Sequence, residues 1–440
     1  MSFIADKQTL EDLNLMGKYK PNSVYSIFNQ VRTAGGERLL DEMFRNPLKD
    51  PETINQRSSI FKYFQDKNLE FPFKNEEFNV IENYLSMGTA GNTLTVMTGV
   101  FYRKIAQSLL RDDQFQMLYI GLLNAIAGLK ALGEFFNTLK EDDHPYQNQL
   151  RKAKAIFADT RLAWLSSPDH LTDLPVMKVA KYDSLLRNTL RKEMEQLLEI
   201  VYDLDVYIAV SKVSRAKNLT YALALPKETN LFKAKGLRHP ALKRAVGNPL
   251  IFSQANNFLF LTGANMAGKS TFMKAFGIAI YMAHMGFPVA ADEMTFSIKD
   301  GLYSSINVPD NLNLGLSHFY AEVLRVKHVA EEVASGKNLV VIFDELFKGT
   351  NVKDAYDATL AVTRSFSKYR NCLFIISTHI IEVGAALGEG CENIELAYLP
   401  TVMQGNVPKY TYQLKEGITS DRQGMMIIEN ENILELIQGK

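Results

Sequence analysis

A lysine and a hydroxyl residue follow two glycines closely in the stretch FLFLTGANMAGKST, residues 258–271. The pattern G-x-x-x-x-G-K-[ST] is matched by Gly263, Gly268, Lys269 and Ser270. In this pattern, backbone N–H groups of a loop surround a phosphate, the lysine contacts the β and γ phosphates, and the hydroxyl binds Mg²⁺. Thr271, next in the sequence, is also predicted to bind the nucleotide. The pattern also arises by chance in roughly a few chains per hundred of this size, but an apolar run before it and a helical pattern after it favour a true phosphate loop.

Two acidic residues end a second apolar run, NLVVIFDE, residues 338–345. Ligands of open α/β sheets bind at the carboxyl ends of strands, so we expect Asp344 to hold Mg²⁺ there. Glu345 is expected to orient and deprotonate the attacking water. A solvated strand end gives the same pattern, and it is the phosphate loop in the same region that favours the catalytic interpretation.

A histidine follows a third apolar run, CLFIIS, residues 372–377. His379 is predicted to contact the γ-phosphate and to report its presence, a role that suits imidazole. The alternative is a capped strand end with a partly buried histidine. The order of phosphate loop, acidic pair and histidine on successive strands favours the functional interpretation.

Composition excludes some classes of protein. The 440 residues carry 49 Lys and Arg against 49 Asp and Glu, so no basic tail indicates nucleic-acid binding. Two cysteines form no disulfide framework, and the amino-terminal sequence lacks the features of a signal peptide, which together predict a cytoplasmic protein. The most apolar predicted helix, near residues 275–291, contains His284 and Pro288 and is short for a membrane span, so we expect no membrane contact.

The spacing of apolar residues along the chain changes near residue 226. Upstream, apolar residues recur every three or four positions, and an uninterrupted stripe over residues 176–216 predicts a long helical rod. Downstream, apolar runs alternate with helices, which is typical of a mostly parallel sheet. The predicted fold class is therefore multidomain, α followed by α/β, with a helical domain over residues 1–225 and an α/β domain over residues 226–440.

Several motifs resemble the MutS family of DNA mismatch-repair proteins, ABC-class ATPases. In the α/β region they are TGANMAGKSTFMKA, DNLNLGLSHFYAEV, DELFKGTNVKDAYDAT and STHI. Upstream, SIFNQVRTAGGERLLDEMFRNPLKDPETINQR resembles the start of the family's helical core, YDLDVYIAVSKVSRAKNLTY the base of its lever helix, and LRHPAL the start of its ATPase domain. The resemblance covers residues from about 23 to about 425.

The resemblance implies a helical core with long lever helices followed by an ABC-type P-loop ATPase domain that uses ATP and Mg²⁺. It implies that Asn265 contacts the phosphates and that Ser317, in the signature loop at residues 315–319, reaches the nucleotide of the opposite subunit of a homodimer. The segment LKEGITSDRQG resembles the family's carboxyl-terminal ATPase segment. An ordinary helix cap is the alternative role for Ser317.

The sequence also departs from the family's pattern. No mismatch-reading domain or connector is expected before the core, and SSPDHLTDLP leaves little room for a DNA clamp. After DEL the family commonly has Gly-Arg-Gly-Thr-Ser-Thr, whereas residues 347–352 are Phe-Lys-Gly-Thr-Asn-Val. Residues 151–192 carry nine Lys and Arg against four Asp and Glu, so this segment either meets DNA phosphates or is a solvated helix face.

The expected function is that of a MutS-like ATPase, which couples ATP binding and hydrolysis in a homodimer to clamping of duplex, mismatched or branched DNA. Two alternatives stay open: a nucleotide-gated interaction protein that binds no DNA, and a P-loop phosphotransferase acting on a small molecule.

Overall fold

The computed structural model describes residues 3–18, 20–86, 98–100, 102–104, 113–140, 144–166, 174–264, 266–306, 318–404, 407–419 and 436–437. The α-helices are α1 (Lys7–Asp12), α2 (Val24–Phe28), α3 (Ala34–Arg45), α4 (Pro51–Lys67), α5 (Asn75–Ser86), α6 (Gln114–Thr138), α7 (Gln147–Phe157), α8 (Val176–Ser184), α9 (Arg191–Ala216), α10 (Lys269–His284), α11 (His318–Ala334), α12 (Val352–Phe366) and α13 (Ile381–Gly388). Short 3₁₀ turns cover Thr160–Ser166 and Lys227–Thr229.

The β-strands are β1 (Ile4–Ala5), β2 (Thr220–Tyr221), β3 (Leu223–Leu225), β4 (Phe232–Leu237), β5 (Asn248–Phe252), β6 (Phe258–Thr262), β7 (Pro288–Val289), β8 (Glu293–Ser297), β9 (Gly301–Ser305), β10 (Leu339–Phe343), β11 (Leu373–Ser377), β12 (Ile394–Tyr398), β13 (Thr401–Gln404), β14 (Val407–Tyr410) and β15 (Lys415–Glu416). The mixed helical and α/β composition confirms the predicted fold class.

The chain divides into two compact units. The sheet unit comprises Met1–Phe28, Met43–Ser58 and Ser214–Lys440, and the helical unit comprises Asn29–Glu42 and Ser59–Val213. The predicted domain boundary between residues 225 and 226 stays a prediction. The compact units are groups of residues that lie close in space, and each combines segments that are distant in the sequence, so they do not test a boundary along the chain.

The sheet unit is built on a seven-stranded sheet with the order β1-β9-β10-β11-β6-β12-β15. All neighbours are parallel except β12 and β15, and the register pairs Val340 with Leu373 and Phe374 with Phe258. Strands β6, β10 and β11 are buried along their whole length, which explains their continuous apolar sequences. The predicted parallel sheet is therefore present, with the three predicted strands side by side as β10, β11 and β6.

Helices cover the sheet and complete its core. One core cluster joins strands β6, β10 and β11 to helices α11, α12 and α13 through residues such as Val329, Phe366 and Leu387. Helix α10 buries 13 of its 16 residues. The apolar pattern near residues 275–291 predicts a longer helix, but α10 ends at His284, because Gly286 adopts a left-handed conformation with φ at +70° and the Phe287 N–H donates back to the Met282 carbonyl oxygen at 3.0 Å; Pro288 then begins β7. The unit also contains a second sheet with the order β3-β8-β4-β5, the antiparallel pair β2-β7 and the hairpin β13-β14.

The helical unit contains the predicted apolar stripe over residues 176–216 as far as Val213. All seven of its apolar positions are buried, namely Leu186, Leu190, Met194, Leu197, Val201, Leu204 and Ile208. The segment is not one continuous α-helix, since a π-helical turn, Leu185–Thr189, separates α8 from α9. Next to that turn, the buried Asp183 carboxylate accepts hydrogen bonds from Arg187 at 2.6 Å and from the Tyr84 hydroxyl at 2.7 Å, so the buried charge of Asp183 is satisfied.

Helix α6 is long and apolar enough to cross a membrane, and half of its most apolar window is buried within the unit. Core helices of soluble proteins pass the same test of length and composition, so this single helix is weak grounds for a membrane span.

Candidate functional site

The phosphate loop lies between β6 and α10, as the sequence predicts. Gly268 begins the helix with φ at +102°, a left-handed conformation that strains any residue with a Cβ. A Cβ at this position would also lie 3.0 Å from the Tyr412 ring. A glycine is therefore needed where the loop becomes the helix, and the free N–H groups of the first turn of α10 face the loop.

The side chain of Lys269 is folded into the loop. Its Nζ donates hydrogen bonds to the carbonyl oxygens of Gly263 at 2.8 Å and Ala264 at 3.1 Å, and the residue is only 5% exposed. Burial lowers the pKa of Lys269, while the carboxylates of Asp344 and Glu345 oppose this shift. The ammonium therefore lies within the loop and close to both acidic residues.

Three elements meet at Asp344. One carboxylate oxygen accepts a hydrogen bond from Ser270 Oγ at 2.5 Å, and the other accepts one from Ser377 Oγ at the end of β11. The backbone N–H of Asp344 donates to the carbonyl oxygen of Ser305, the last residue of β9, at 2.9 Å. Asp344 is thus held at the carboxyl edge of the sheet through its backbone by β9 and through its carboxylate by β11 and α10.

Glu345 lies beside it in a strained turn. Its φ is +54°, and that of Phe347 is +62°, which is uncommon for residues other than glycine. The Glu345 N–H donates to Ser377 O at 3.0 Å, and the Phe347 N–H donates to the buried Glu322 carboxylate at 2.7 Å. These bonds hold the turn in its unusual conformation and direct the Glu345 side chain to the edge of the sheet.

Glu345 and His379 form a direct pair. Oε1 of Glu345 lies 2.5 Å from Nε2 of His379, and Lys348 Nζ lies 3.7 Å from Oε2. The hydrogen bond to His379 is the main cause that lowers the pKa of Glu345 to about 2, against the opposing effect of burial. Glu345 is therefore a carboxylate at neutral pH.

A cavity of about 550 Å³ opens against the loop. The loop and the acidic pair line it through Gly268, Lys269, Ser270, Thr271 and Glu345. Its other lining residues come from the loop, from α10, from the segment at 237–248 and from positions 399 and 412, and they include the cations Arg238, Lys243 and Arg244 together with His239, Asn248 and Tyr412. The cavity is therefore lined by basic side chains together with aromatic and apolar ones, and Tyr412 lies directly against the loop.

The side chains at the loop fit Mg²⁺. The Ser270 hydroxyl and the Asp344 carboxylate are oxygen ligands of the kind that Mg²⁺ prefers, and they lie together at the loop. Among the residues that the structure describes, no group of three or more His, Cys, Asp or Glu side chains is placed to hold a metal ion. A small protein contribution suits Mg²⁺, which is usually held by one or two protein groups and by substrate phosphates.

Most of the predicted site residues come together at this edge of the sheet. These are Gly263, Gly268, Lys269, Ser270, Thr271, Asp344, Glu345 and His379. Asn265 and Ser317 lie outside the described residues, so their predicted roles stay predictions. Ser377 and Tyr412 had no predicted role in the site; Ser377 ends the apolar run 372–377, a signal that could have marked it, whereas nothing in the sequence marks Tyr412.

The parallel sheet, the glycine-rich loop at its carboxyl edge and the separate helical unit define a two-part chain with a P-loop α/β domain. A family model described as MutS domain III matches residues 8–259, and one described as MutS domain V matches residues 259–437. The chain belongs to the MutS family, which confirms the resemblance seen in the sequence.

One curated relative illustrates the match. The DNA mismatch repair protein MutS of Petrotoga mobilis is 29% identical over 208 residues, which cover 46% of this chain. The aligned region is 25% of that protein, so this chain matches only about a quarter of the length of its relative.

Proposed function

We propose that this protein binds ATP with Mg²⁺ at the phosphate loop and hydrolyses it. The observation that carries the proposal is the meeting of four features at one edge of the sheet: the loop with its buried Lys269, the pair Ser270 and Asp344, the pair Glu345 and His379, and the cavity beside them. Membership of the MutS family supports it independently.

The phosphates of ATP would lie in the loop, against the N–H groups at the start of α10. Lys269 Nζ would then exchange carbonyl oxygens of the loop for phosphate oxygens, because a charge-assisted hydrogen bond is stronger than a neutral one. Mg²⁺, when bound by Ser270 and Asp344, neutralises phosphate charge. The base and ribose would occupy the rest of the cavity, with Tyr412 next to Gly268 as an aromatic surface for the base.

Hydrolysis requires a water aligned with the terminal phosphate. The carboxylate of Glu345 is ionised and accepts hydrogen bonds, so it can orient this water and receive its proton during attack. His379 contacts Glu345 directly and lies at the adjacent strand end, where a terminal phosphate would reach it. We therefore assign Glu345 and His379 to catalysis, and the others to binding.

The wider function that we propose is a DNA-linked ATPase of a homodimer, acting in mismatch repair or related DNA repair. ATP bound by one subunit would be contacted by the signature loop of the other, and the cycle would act on DNA through the helical part of the chain. Family membership supports this proposal. We also propose residues 1–225 and 226–440 as the two functional domains and the cytoplasm as the location.

One observation favours the alternative of a nucleotide-gated protein without DNA binding. At least three of the basic residues that the structure describes in the segment 151–192 form ion pairs: Arg161 with Asp159 and Glu193, Arg187 with Asp183, and Arg191 with Glu195. These pairs reduce the positive charge that this segment offers to phosphates, because each guanidinium is neutralised locally.

The test compares wild type with Lys269→Ala in equilibrium binding of labelled ATP and in steady-state turnover. Removing the ammonium should weaken ATP binding about ten- to hundredfold, the range expected for hydrogen bonds from a charged group. Lys274→Ala is the matched control, since Lys274 is on the same helix but does not line the cavity. Equal ATP affinity in all three proteins would contradict the assignment of the loop.

The DNA part of the proposal is tested separately. Electrophoretic mobility of duplex, mismatched and branched DNA at low salt, with and without ATP, should show a shift. If ATP binding and turnover are intact but no DNA shifts, the interaction-protein alternative replaces the DNA-linked function. A rate of ATP turnover that rises when a small-molecule acceptor is added, together with transfer of phosphate to that acceptor, would support the phosphotransferase alternative.

A further inference from the structure

The amino-terminal segment, residues 4–13, is part of the sheet unit although it is far from the phosphate loop in sequence. Strand β1 extends the seven-stranded sheet beyond β9, with Ile4 paired to Gly301 in parallel register. Leu13 packs against α10 so closely that a Cβ on Gly277 would lie 2.9 Å from its methyl group. The same Cβ would lie 3.0 Å from Ile342 of β10, so the segment contacts the elements that carry the site.

Two side chains of this segment hold the carboxyl end of β9. One oxygen of the Asp12 carboxylate accepts hydrogen bonds from Ser304 Oγ at 2.8 Å and from the Ile306 N–H at 2.9 Å. The Thr9 hydroxyl oxygen accepts the Ser304 N–H at 2.9 Å. Both Asp12 and Thr9 are buried, at 4% and 0% exposure, so these bonds are shielded from competing water.

An arginine fixes the same strand end from another element. Arg325 of α11 is 8% exposed, and its guanidinium donates to the carbonyl oxygen of Ser304 at 3.1 Å through Nε. It also forms an ion pair with Asp6 and donates to the Thr9 hydroxyl at 3.3 Å. Ser304 is therefore bonded through its N–H, O–H and C=O groups, and Ile306 through its N–H, to the amino-terminal segment or to its partner Arg325.

The residue between them contacts the site. Ser305 pairs with Phe343 in the β9–β10 register, and its carbonyl oxygen accepts the N–H of Asp344 at 2.9 Å. Asp12 is thus hydrogen-bonded to Ser304 and Ile306, the two neighbours of Ser305. Ser305 in turn holds the backbone of Asp344, the proposed Mg²⁺ ligand. A displacement of residues 304–306 would move that carbonyl oxygen and, with it, the Asp344 carboxylate.

We propose that Asp12 is a positioning residue for the metal-binding carboxylate of Asp344, acting through the end of β9. The inference deepens the proposed function, because it rests on Asp344 as the Mg²⁺ ligand. The amino-terminal segment then contributes to the nucleotide site. Removing the hydrogen bonds of Asp12 lowers the affinity for metal while the phosphate loop stays intact.

The experiment measures metal affinity at a fixed nucleotide concentration in the full chain. Free Mn²⁺ is read by electron paramagnetic resonance, and a fluorescent ATP analogue reports nucleotide binding in EDTA. Asp12→Ala should weaken Mn²⁺ binding about three- to tenfold. This loss is at or below the smallest one expected when a group that contacts a metal ligand directly is removed, because Asp12 acts through the end of β9. Nucleotide affinity in EDTA should stay unchanged. Asp12→Asn should bind Mn²⁺ like wild type, since an amide oxygen can accept the same two hydrogen bonds.

Asp300→Ala is the matched control at the opposite end of β9. The Asp300 carboxylate accepts the Asn338 N–H at 2.9 Å and contacts Lys49 Nζ at 2.9 Å, so its loss removes similar bonds from the same strand. Metal affinity should be unaffected in this variant. An equal loss of Mn²⁺ affinity in Asp300→Ala would overturn the inference and indicate a general weakening of the sheet.

Two further results decide the remaining cases. If Asp12→Ala does not fold, Ser304→Ala removes one of the two Asp12 bonds and should weaken Mn²⁺ binding in the same direction by a smaller factor; wild-type affinity there overturns the inference. If wild type itself binds nucleotide without any dependence on metal, the proposed function fails, whereas normal metal dependence in Asp12→Ala removes only the role of Asp12.

Discussion

His284, at the end of α10, gives a sharp prediction about pH. The residue is fully buried, and its ring lies 4.2 Å from the Phe3 ring and 5.1 Å from the Phe296 ring, centroid to centroid. Its Nδ1–H donates to the Leu48 carbonyl at 2.8 Å, and its Nε2 accepts the Lys299 N–H at 3.2 Å. Protonation of Nε2 would break the second bond and bury a positive charge near Lys49 and Lys299, which the hydrogen bond to Leu48 and the charge of Asp300 offset only in part.

Burial therefore lowers the pKa of His284 from 6.5 to about 4. Because the folded state disfavours the proton, this residue's contribution to stability is complete above pH 6.5 and is lost as the pH falls from 6.5 towards 4. At 1.36 kcal/mol per pKa unit, this shift corresponds to about 3 kcal/mol in the free energy of unfolding. The full loss of stability is reached only below the pKa that His284 has in the folded protein.

The assay is a pH titration of the protein labelled with ¹³C at its seven histidines, with His284 assigned by His284→Gln. The same variant is the control for stability: the difference in apparent free energy of unfolding between wild type and variant should shrink as the pH falls through this window. Groups that titrate in both proteins, including His239, cancel in that difference. A His284 signal that titrates near 6.5 in the folded protein would refute the reasoning.

Three predictions concern the proposed site and partner. Tyr412→Ala should weaken ATP binding about fivefold through lost contact with the base, while the affinity for free triphosphate stays constant in competition binding. Ser377→Ala should lower Mn²⁺ affinity about tenfold at fixed nucleotide, because the Asp344 carboxylate loses one of its hydrogen bonds; unchanged metal affinity would show that Ser270 suffices to hold it. The exposed residues Arg151 and Lys152, changed together to alanine, should reduce the salt dependence of DNA binding by about two units of slope if both contact phosphates; an unchanged slope would remove this surface from the DNA interface.

Much of the sheet unit is predictable from its sequence, because strands buried on both faces have continuous apolar runs. The runs 258–261, 339–343 and 373–377 became β6, β10 and β11, and the residues that follow them meet at one edge. Parallel strands in one sheet bring their carboxyl ends together, so Lys269, Asp344 and His379 converge although they are far apart in sequence.

The interactions that could not be predicted depend on long-range packing. The bonds from Asp12 to Ser304 and Ile306 join residues nearly three hundred positions apart, and no periodicity or motif marks them. The position of Tyr412 against Gly268 likewise depends on the hairpin β13–β14 and on Asn248, which donates to the Tyr412 carbonyl at 2.9 Å. The π-helical turn at Leu185–Thr189 could not be predicted from the sequence, because the apolar stripe continues across it without a break.

Single-turnover hydrolysis of ATP by wild type and Glu345→Gln, with nucleotide binding measured on the same samples, tests the central claim most directly. Glutamine keeps the shape of the side chain but cannot accept the proton of the attacking water, so ATP and Mg²⁺ should still bind while hydrolysis falls about a hundredfold or more. Light scattering should then show the variant accumulating as a dimer in ATP and not in ADP, since a ligand held across an interface adds to association. Glu345→Gln hydrolysing ATP at the wild-type rate would contradict the account.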